Sequence, residues 1–136
     1  MSDDQPSDAL RALLDAKLDT LEKLEIVLAL RDAPDRSSSV EALAHHLQVG
    51  PSVLRQVVDE VARANVVTVR GDIVELVLDG SNTALLDEAS ALHHGHRHEL
   101  IRVFSMIAMA RIRQMAARTF ADAFQIRKKK KDGDHG

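Results

Sequence analysis

Only two residues, Gly71 and Asp72, separate two runs rich in β-branched side chains, Val66-Val-Thr-Val-Arg and Ile73-Val-Glu-Leu-Val-Leu. β-Branched residues favour strands because they pack well on a pleated surface. A two-residue link joins only adjacent antiparallel strands, so this stretch is expected to be a hairpin. Glycine in the first loop position fits a type II′ turn, whose first central residue needs a positive φ. Asp79-Gly-Ser-Asn ends the second run with turn-forming residues.

The residues before the hairpin follow helical spacing. Between Ala9 and Arg31, apolar residues fall at Leu10, Leu14, Leu18, Leu21, Leu24 and Leu28. Steps of three and four place them on one face of a helix. Thr20, followed by Glu22 and Lys23, allows a fresh helix start inside this span. Pro34 disfavours helical geometry at Ala33 and stops the run. Ser37-Ser-Ser supplies N-cap hydroxyls for a helix from Val40 to Leu47. Gln48-Val-Gly-Pro is a turn, with Gly50 expected to take the unusual backbone angles and Pro51 to open the next helix. That helix is expected to reach Ala64, with Leu54, Val57, Val58 and Val61 inward and Asn65 as a left-handed cap.

The order helix, helix, turn, helix, hairpin, carried by Val40-Glu-Ala-Leu-Ala-His-His-Leu-Gln-Val-Gly-Pro-Ser-Val-Leu-Arg-Gln-Val-Val-Asp-Glu-Val-Ala-Arg-Ala-Asn-Val-Val, resembles the winged helix-turn-helix transcription regulators, broadly the MarR and Rrf2 families. Leu43, Leu47, Val49, Leu54 and Val57 stand where that motif needs apolar residues, and Ala44 where two helices cross closely. The pattern departs at the turn, where Gln48-Val49 precede a slightly late Gly50. The resemblance covers about residues 21–79. It implies a mainly α fold of three helices and a two-stranded hairpin, flanked by N- and C-terminal helices. It also implies that the second helix of the motif enters the DNA major groove. Ser52, Arg55, Gln56 and Arg63 would then face DNA, with Arg55 and Gln56 suited to guanine and adenine edges. Arg36 and Ser38 would touch phosphates, and Arg70 would reach the backbone from beside the wing turn.

Charge complicates that picture. Residues 36–79 hold four basic and six acidic residues and no lysine, although DNA affinity rests largely on cations that neutralise phosphates. Asp59 and Glu60 share the recognition helix, and Asp72 sits at the wing turn. The competing reading is an adaptor whose winged helix binds protein. The chain as a whole carries −3, distributed as −5 over residues 1–35, −4 over 36–91 and +6 over 92–136. Such asymmetry points the last third toward an anionic partner or toward self-association.

The chain beyond the hairpin reads as a short helix from Thr83 to Ala91, a break near Gly95, and a long helix from His96 to Arg127. Leu100, Phe104, Ile107, Ile112, Met115, Phe120 and Phe124 are its main apolar residues, and Ile101, Val103, Met106 and Met109 add a second face. One face suits intrachain packing and the other a second copy in a coiled coil, so a homodimer is expected. Arg127, Lys128, Lys129, Lys130 and Lys131 form a basic tail fit for phosphates or for an anionic membrane surface beside Phe120 and Phe124. The domain expectation is a disordered 1–8, a helix and winged module over 9–80, C-terminal helices over 81–127 and a disordered 128–136.

Other chemistries find little support. There is no cysteine, so disulfides, thiolate metal sites and cysteine nucleophiles are excluded. No phosphate loop or nucleophile motif is present, and the adjacent acids Asp59-Glu60 and Asp87-Glu88 do not face each other on helices. The expectation is therefore a non-enzyme with no cofactor and no metal. His94 and His98 are four apart, but Gly95 lies between them. The acidic start Met1-Ser-Asp-Asp-Gln-Pro lacks a basic leader, and no apolar run is bilayer length, so a cytoplasmic location is expected.

Overall fold

A computed structural model describes residues 5–78 and 80–133, with side chains described as far as Gln125. Among the described residues there are six α-helices and three short strands. In chain order they are α1 (Asp8–Lys17), α2 (Leu21–Asp32), β1 (Ser37–Ser39), α3 (Val40–Leu47), α4 (Pro51–Arg63), β2 (Val67–Arg70), β3 (Ile73–Leu76), α5 (Ser81–Gly95) and α6 (Arg97–Gly133). Backbone contacts divide the chain into two units, residues 1–104 and 105–136. The boundary falls within α6.

The first unit is organised around α2. Leu24, Ile26, Val27, Leu28 and Leu30 are all buried, and at about 100° per residue they cover an arc of roughly 200°, more than half of the helix. A helix with so wide an apolar face needs neighbours on more than one side. Accordingly α2 packs against α3, α4, α5, β1 and β3. The single Leu stripe expected across Ala9–Arg31 therefore describes only part of the pattern. Leu10, Leu14 and Leu18 are buried from α1 and the residue that caps it, but Leu21 is half-exposed. The span is two helices, with the fresh start at Thr20 that the sequence allows. Thr20 is extended and its hydroxyl accepts from the Lys23 N–H at 3.3 Å, so it starts α2 as an N-cap.

The N-terminus is more ordered than expected. Ser7 caps α1, accepting from the Leu10 N–H. Its own N–H and hydroxyl each donate to the Glu88 carboxylate of α5 at 2.7 Å. The expected disorder of residues 1–4 falls outside the described residues. At the other end, the backbone of α6 is helical through Gly133.

Both helices of the central pair end in the same device. At the end of α3, Gln48 has φ 57, the Gln48 N–H reaches the His45 carbonyl and the Val49 N–H reaches the Ala44 carbonyl. At the end of α4, Asn65 has φ 64, with its N–H on the Ala62 carbonyl and the Val66 N–H on the Val61 carbonyl. These are Schellman motifs, which satisfy carbonyls that would otherwise lack partners. Asn65 takes the expected role. Gly50 does not: its φ of −61 is ordinary, and Gln48 carries the left-handed turn instead. Pro51 opens α4 as expected. The Lys17 ammonium adds a bond to the Ala64 carbonyl at 3.2 Å, placing a cation at the negative end of α4.

The hairpin forms with Val67 opposite Leu76 and Arg70 opposite Ile73. Gly71 has φ 60 while Asp72 has no positive φ, as a type II′ turn requires. The sheet also has a third strand. Ser37–Ser39 pair antiparallel with β3, giving the order β1-β3-β2. Ser39 is both the end of β1 and the N-cap of α3, its hydroxyl accepting from the Ala42 N–H. Val74 and Leu76 bury their side chains from the central strand, beneath α2. Because Ile26 is fully buried and Leu21 is not, Ile26→Ala is expected to cost about 2–5 kcal/mol and Leu21→Ala clearly less, by urea unfolding followed by circular dichroism.

Candidate nucleic-acid interface

Helix α4 turns Leu54, Val58 and Val61 into the core and leaves the opposite face open. Ser52, Arg55, Gln56, Asp59 and Arg63 are all exposed. At about 100° per residue they lie within one arc of roughly a quarter turn or slightly more. Glu60 sits at the rim of that arc. Its carboxylate is 3.2 Å from the Lys23 ammonium, which also holds Asp19 at 2.6 Å. Lys23 thus draws one of the two acids of α4 toward α2. The open face then carries two arginines against the single Asp59.

The hairpin flanks this face, since α4 packs on β2. Arg70 closes β2 and is exposed beside the turn. Arg55 does not stand free. Its Nη2 lies 2.7 Å from Asp72 Oδ1 at the tip of the hairpin. Sequence spacing gave no hint of this pairing, because the partners are seventeen positions apart and meet only through the docking of the hairpin on α4. Asp72 occupies the guanidinium as a phosphate or base edge would, and it ties the turn to the helix.

Two of the residues expected to bind phosphate lie elsewhere. Arg36 has φ 54, and its Nη1 donates to the Leu78 carbonyl at 3.2 Å. It sits at the open end of the hairpin, some five residues or about 17 Å along the strand from the turn. Ser38 is half-buried in β1, and its hydroxyl points to the Ser39 carbonyl at 3.4 Å. It lines a cleft of about 340 Å³ with Asp32, Ala42 and His46, between α2 and α3. The structure brings together Ser52, Arg55, Gln56, Arg63 and Arg70, and leaves Arg36 and Ser38 out.

A second cleft, of about 270 Å³, opens where α2, α3 and α5 meet, lined among others by Glu25, Asp32, His46, Ser90 and His93. His93 Nε2 is 3.5 Å from Glu25 Oε2, too long for a good hydrogen bond, and that nitrogen is buried with no hydrogen-bond partner. Beside it, Arg31 of α2 pairs with Asp87 of α5 and with Asp32. The hydrogen bond to Asp87 raises the Arg31 guanidinium above its ordinary pKa, keeping it firmly charged. His94 and His98 do not share a helix, because α5 ends at Gly95 and His96 breaks the backbone. Among the described residues, no group of three or more histidines and carboxylates has the geometry to hold a metal.

The residues expected at an interface between copies divide in two. Leu100, Phe104 and Ile107 are buried within the single chain and are unavailable to a partner. Ile112, Met115, Phe120 and Phe124 are exposed. Arg127 and Lys128–Lys131 lie outside the described side chains. No helix among the described residues is long and apolar enough to cross a membrane.

The chain matches no protein-family model and no curated protein. Its functional reading therefore rests on the geometry alone. Since the Arg55–Asp72 pair is exposed, Asp72→Ala is expected to change stability by less than about 1 kcal/mol in urea unfolding, with Arg55 freed rather than the fold lost.

Proposed function

We propose that residues 21–79 form a winged helix-turn-helix that binds double-stranded DNA, with α4 as the helix that enters the major groove and the β2–β3 turn as the wing. The observation that carries this reading is the joint exposure of Ser52, Arg55, Gln56 and Arg63 on one face of α4, beside Arg70. Three features support it. The strand β1 between two helices, followed by a helix pair and a hairpin, is the order that a winged helix requires. The core side of α4 is apolar and locked, so its outer side is held rigidly, as base readout needs. The sequestration of Glu60 by Lys23 also removes part of the acidity that opposes DNA.

In this reading Arg55 forks to a guanine and Gln56 pairs with an adenine, while Arg63 and Arg70 touch phosphates. Asp72 then competes with DNA for Arg55. A base edge must outcompete Asp72 to hold Arg55, so the acid sets a threshold that weak contacts do not pass. The protein is a regulator of transcription in this proposal, and its role is binding rather than catalysis.

The charge count makes the proposal quantitative. With Arg55, Arg63 and Arg70 as the cations of the module, log affinity is expected to fall with log salt at a slope no steeper than about −3. Genomic-fragment selection at low salt, followed by titration on the selected site, tests the reading. Arg55→Ala is expected to lose about 1–3 kcal/mol of discrimination at one base pair, and Arg63→Ala to weaken all sites evenly. Asp72→Ala is expected to tighten binding to unrelated DNA. Absence of any selected fragment at low salt counts against DNA binding altogether.

A further inference from the structure

The apolar stripe of α6 changes sides. Leu100, Val103, Phe104 and Ile107 are buried and share one face. After Ile107 that same face continues as Arg111, Gln114, Arg118, Asp122 and Gln125, with the exposed Met115 at its edge. At about 100° per residue, Met106, Met109, Ile112, Phe120 and Phe124 instead occupy an arc of about 120° on the opposite side. All five are exposed, by 51% to 74%. Ala116 and Ala123 fill in the same arc. The second unit is thus an amphipathic helix, with its apolar side open and a cationic polar side behind it.

Charge narrows what that side meets. Residues 105–136 hold eight basic and three acidic residues, a balance of +5, whereas residues 1–104 hold ten basic and eighteen acidic, a balance of −8. A second copy of the same helix brings +5 against +5. Arg113 sharpens the point, because it lies inside the apolar arc, between Phe120 and Phe124 around the helix. In a two-helix seam its guanidinium would be enclosed without an acid to meet it, at high cost. DNA would accept the cations but has no use for a face of Met, Ile and Phe. An anionic bilayer surface accepts both: the arc sinks to the level of the acyl chains, and Arg113 reaches up to lipid phosphate along its own aliphatic stem.

We infer that residues 105–125 form an interfacial helix that lies in the plane of an anionic phospholipid bilayer, with Met106, Met109, Ile112, Phe120 and Phe124 inserted and the arginines at the headgroups. It lies on the surface and does not span, since it is neither long nor apolar enough to cross. The basic run Arg127–Lys131 continues the same segment with five more cations, each favourable near an anionic surface. The acidic body is repelled there, so the affinity comes from this helix. This inference stands apart from DNA binding and survives or fails separately.

The test uses the full chain with vesicles of phosphatidylcholine alone, and of phosphatidylcholine with about a third phosphatidylglycerol. Co-flotation is expected with the anionic vesicles only, falling as salt rises from about 0.05 to 0.5 M. Phe120→Ser with Phe124→Ser is expected to reduce partitioning about tenfold or more. Both side chains are exposed, so this variant keeps the circular dichroism of the parent. Arg113→Leu is the sorting variant: it weakens anionic selectivity if the helix meets lipid, and raises the mass in light scattering toward twice that of the chain if it meets a second copy. Failure to float with anionic vesicles at low salt overturns the inference. So does flotation indifferent to the two phenylalanines, or a stable dimer that the phenylalanine variant dissolves.

Discussion

The wide apolar face of α2, more than half of the helix, is the constraint on which the first unit depends. Its five buried side chains touch helices on several sides and the sheet on another. With no tryptophan or tyrosine in the chain, no single large side chain spans the core. The core is filled mainly by Leu, Ile and Val, and the neighbours of α2 pack against it. The N-cap at Thr20 follows from the same need. A continuous helix from Ala9 would carry the α1 leucines along its own axis, away from α5; the break at Leu18–Thr20 lets α1 and α2 bury separate faces.

Polar contacts then fix the edges of what the core has arranged. Lys17 closes the end of α4, Lys23 joins α2 to α4 through Glu60, Arg31 joins α2 to α5 through Asp87, and Ser7 joins α1 to the same helix through Glu88. Each is partly exposed, so none contributes much to stability. Their effect is on placement. Three of the four cations or donors come from α1 or α2, so basic groups that a DNA surface would use are spent inside the module. That explains how the module can be acidic in count and still leave the outer face of α4 with more arginine than acid.

Much of this architecture was legible in the sequence, for identifiable reasons. The hairpin was visible because a two-residue Gly-Asp link admits one topology, and α3 and α4 because their apolar spacing and Pro51 agree. The third strand was not, since Ser37-Ser-Ser has no apolar alternation; it pairs because Val40 and α3 must start beside the turn, where the Val40 N–H meets the Asp72 carbonyl. The turn glycine misled for a related reason. Gly50 tolerates a positive φ, but the Schellman closure of α3 needs that angle two residues earlier, at Gln48. The breadth of the apolar face of α2 depends on Ile26, Val27 and Leu30, which lie off the stripe formed by Leu21, Leu24 and Leu28. At the candidate site, exposure on α4 followed from helical period. The positions of Arg36 and Ser38 depended on β1, and Arg55's partner on the docking of the hairpin, neither of which has a local signal.

The long helix poses the opposite problem, because its residues were legible and their direction was not. Leu100, Phe104, Ile107, Ile112, Phe120 and Phe124 look like one series when counted along the chain. On the helix they are two series on opposite sides, and the change of side falls close to the boundary between the two units. A single stripe would have meant one long packing surface. A stripe that crosses over means that the side of the helix buried at Leu100, Val103 and Phe104 is not the side that carries most of the exposed apolar residues further along. The acidic first unit and the basic second unit follow the same division. Each part of α6 is therefore suited to a different environment, the protein core for one and an anionic, partly apolar surface for the other.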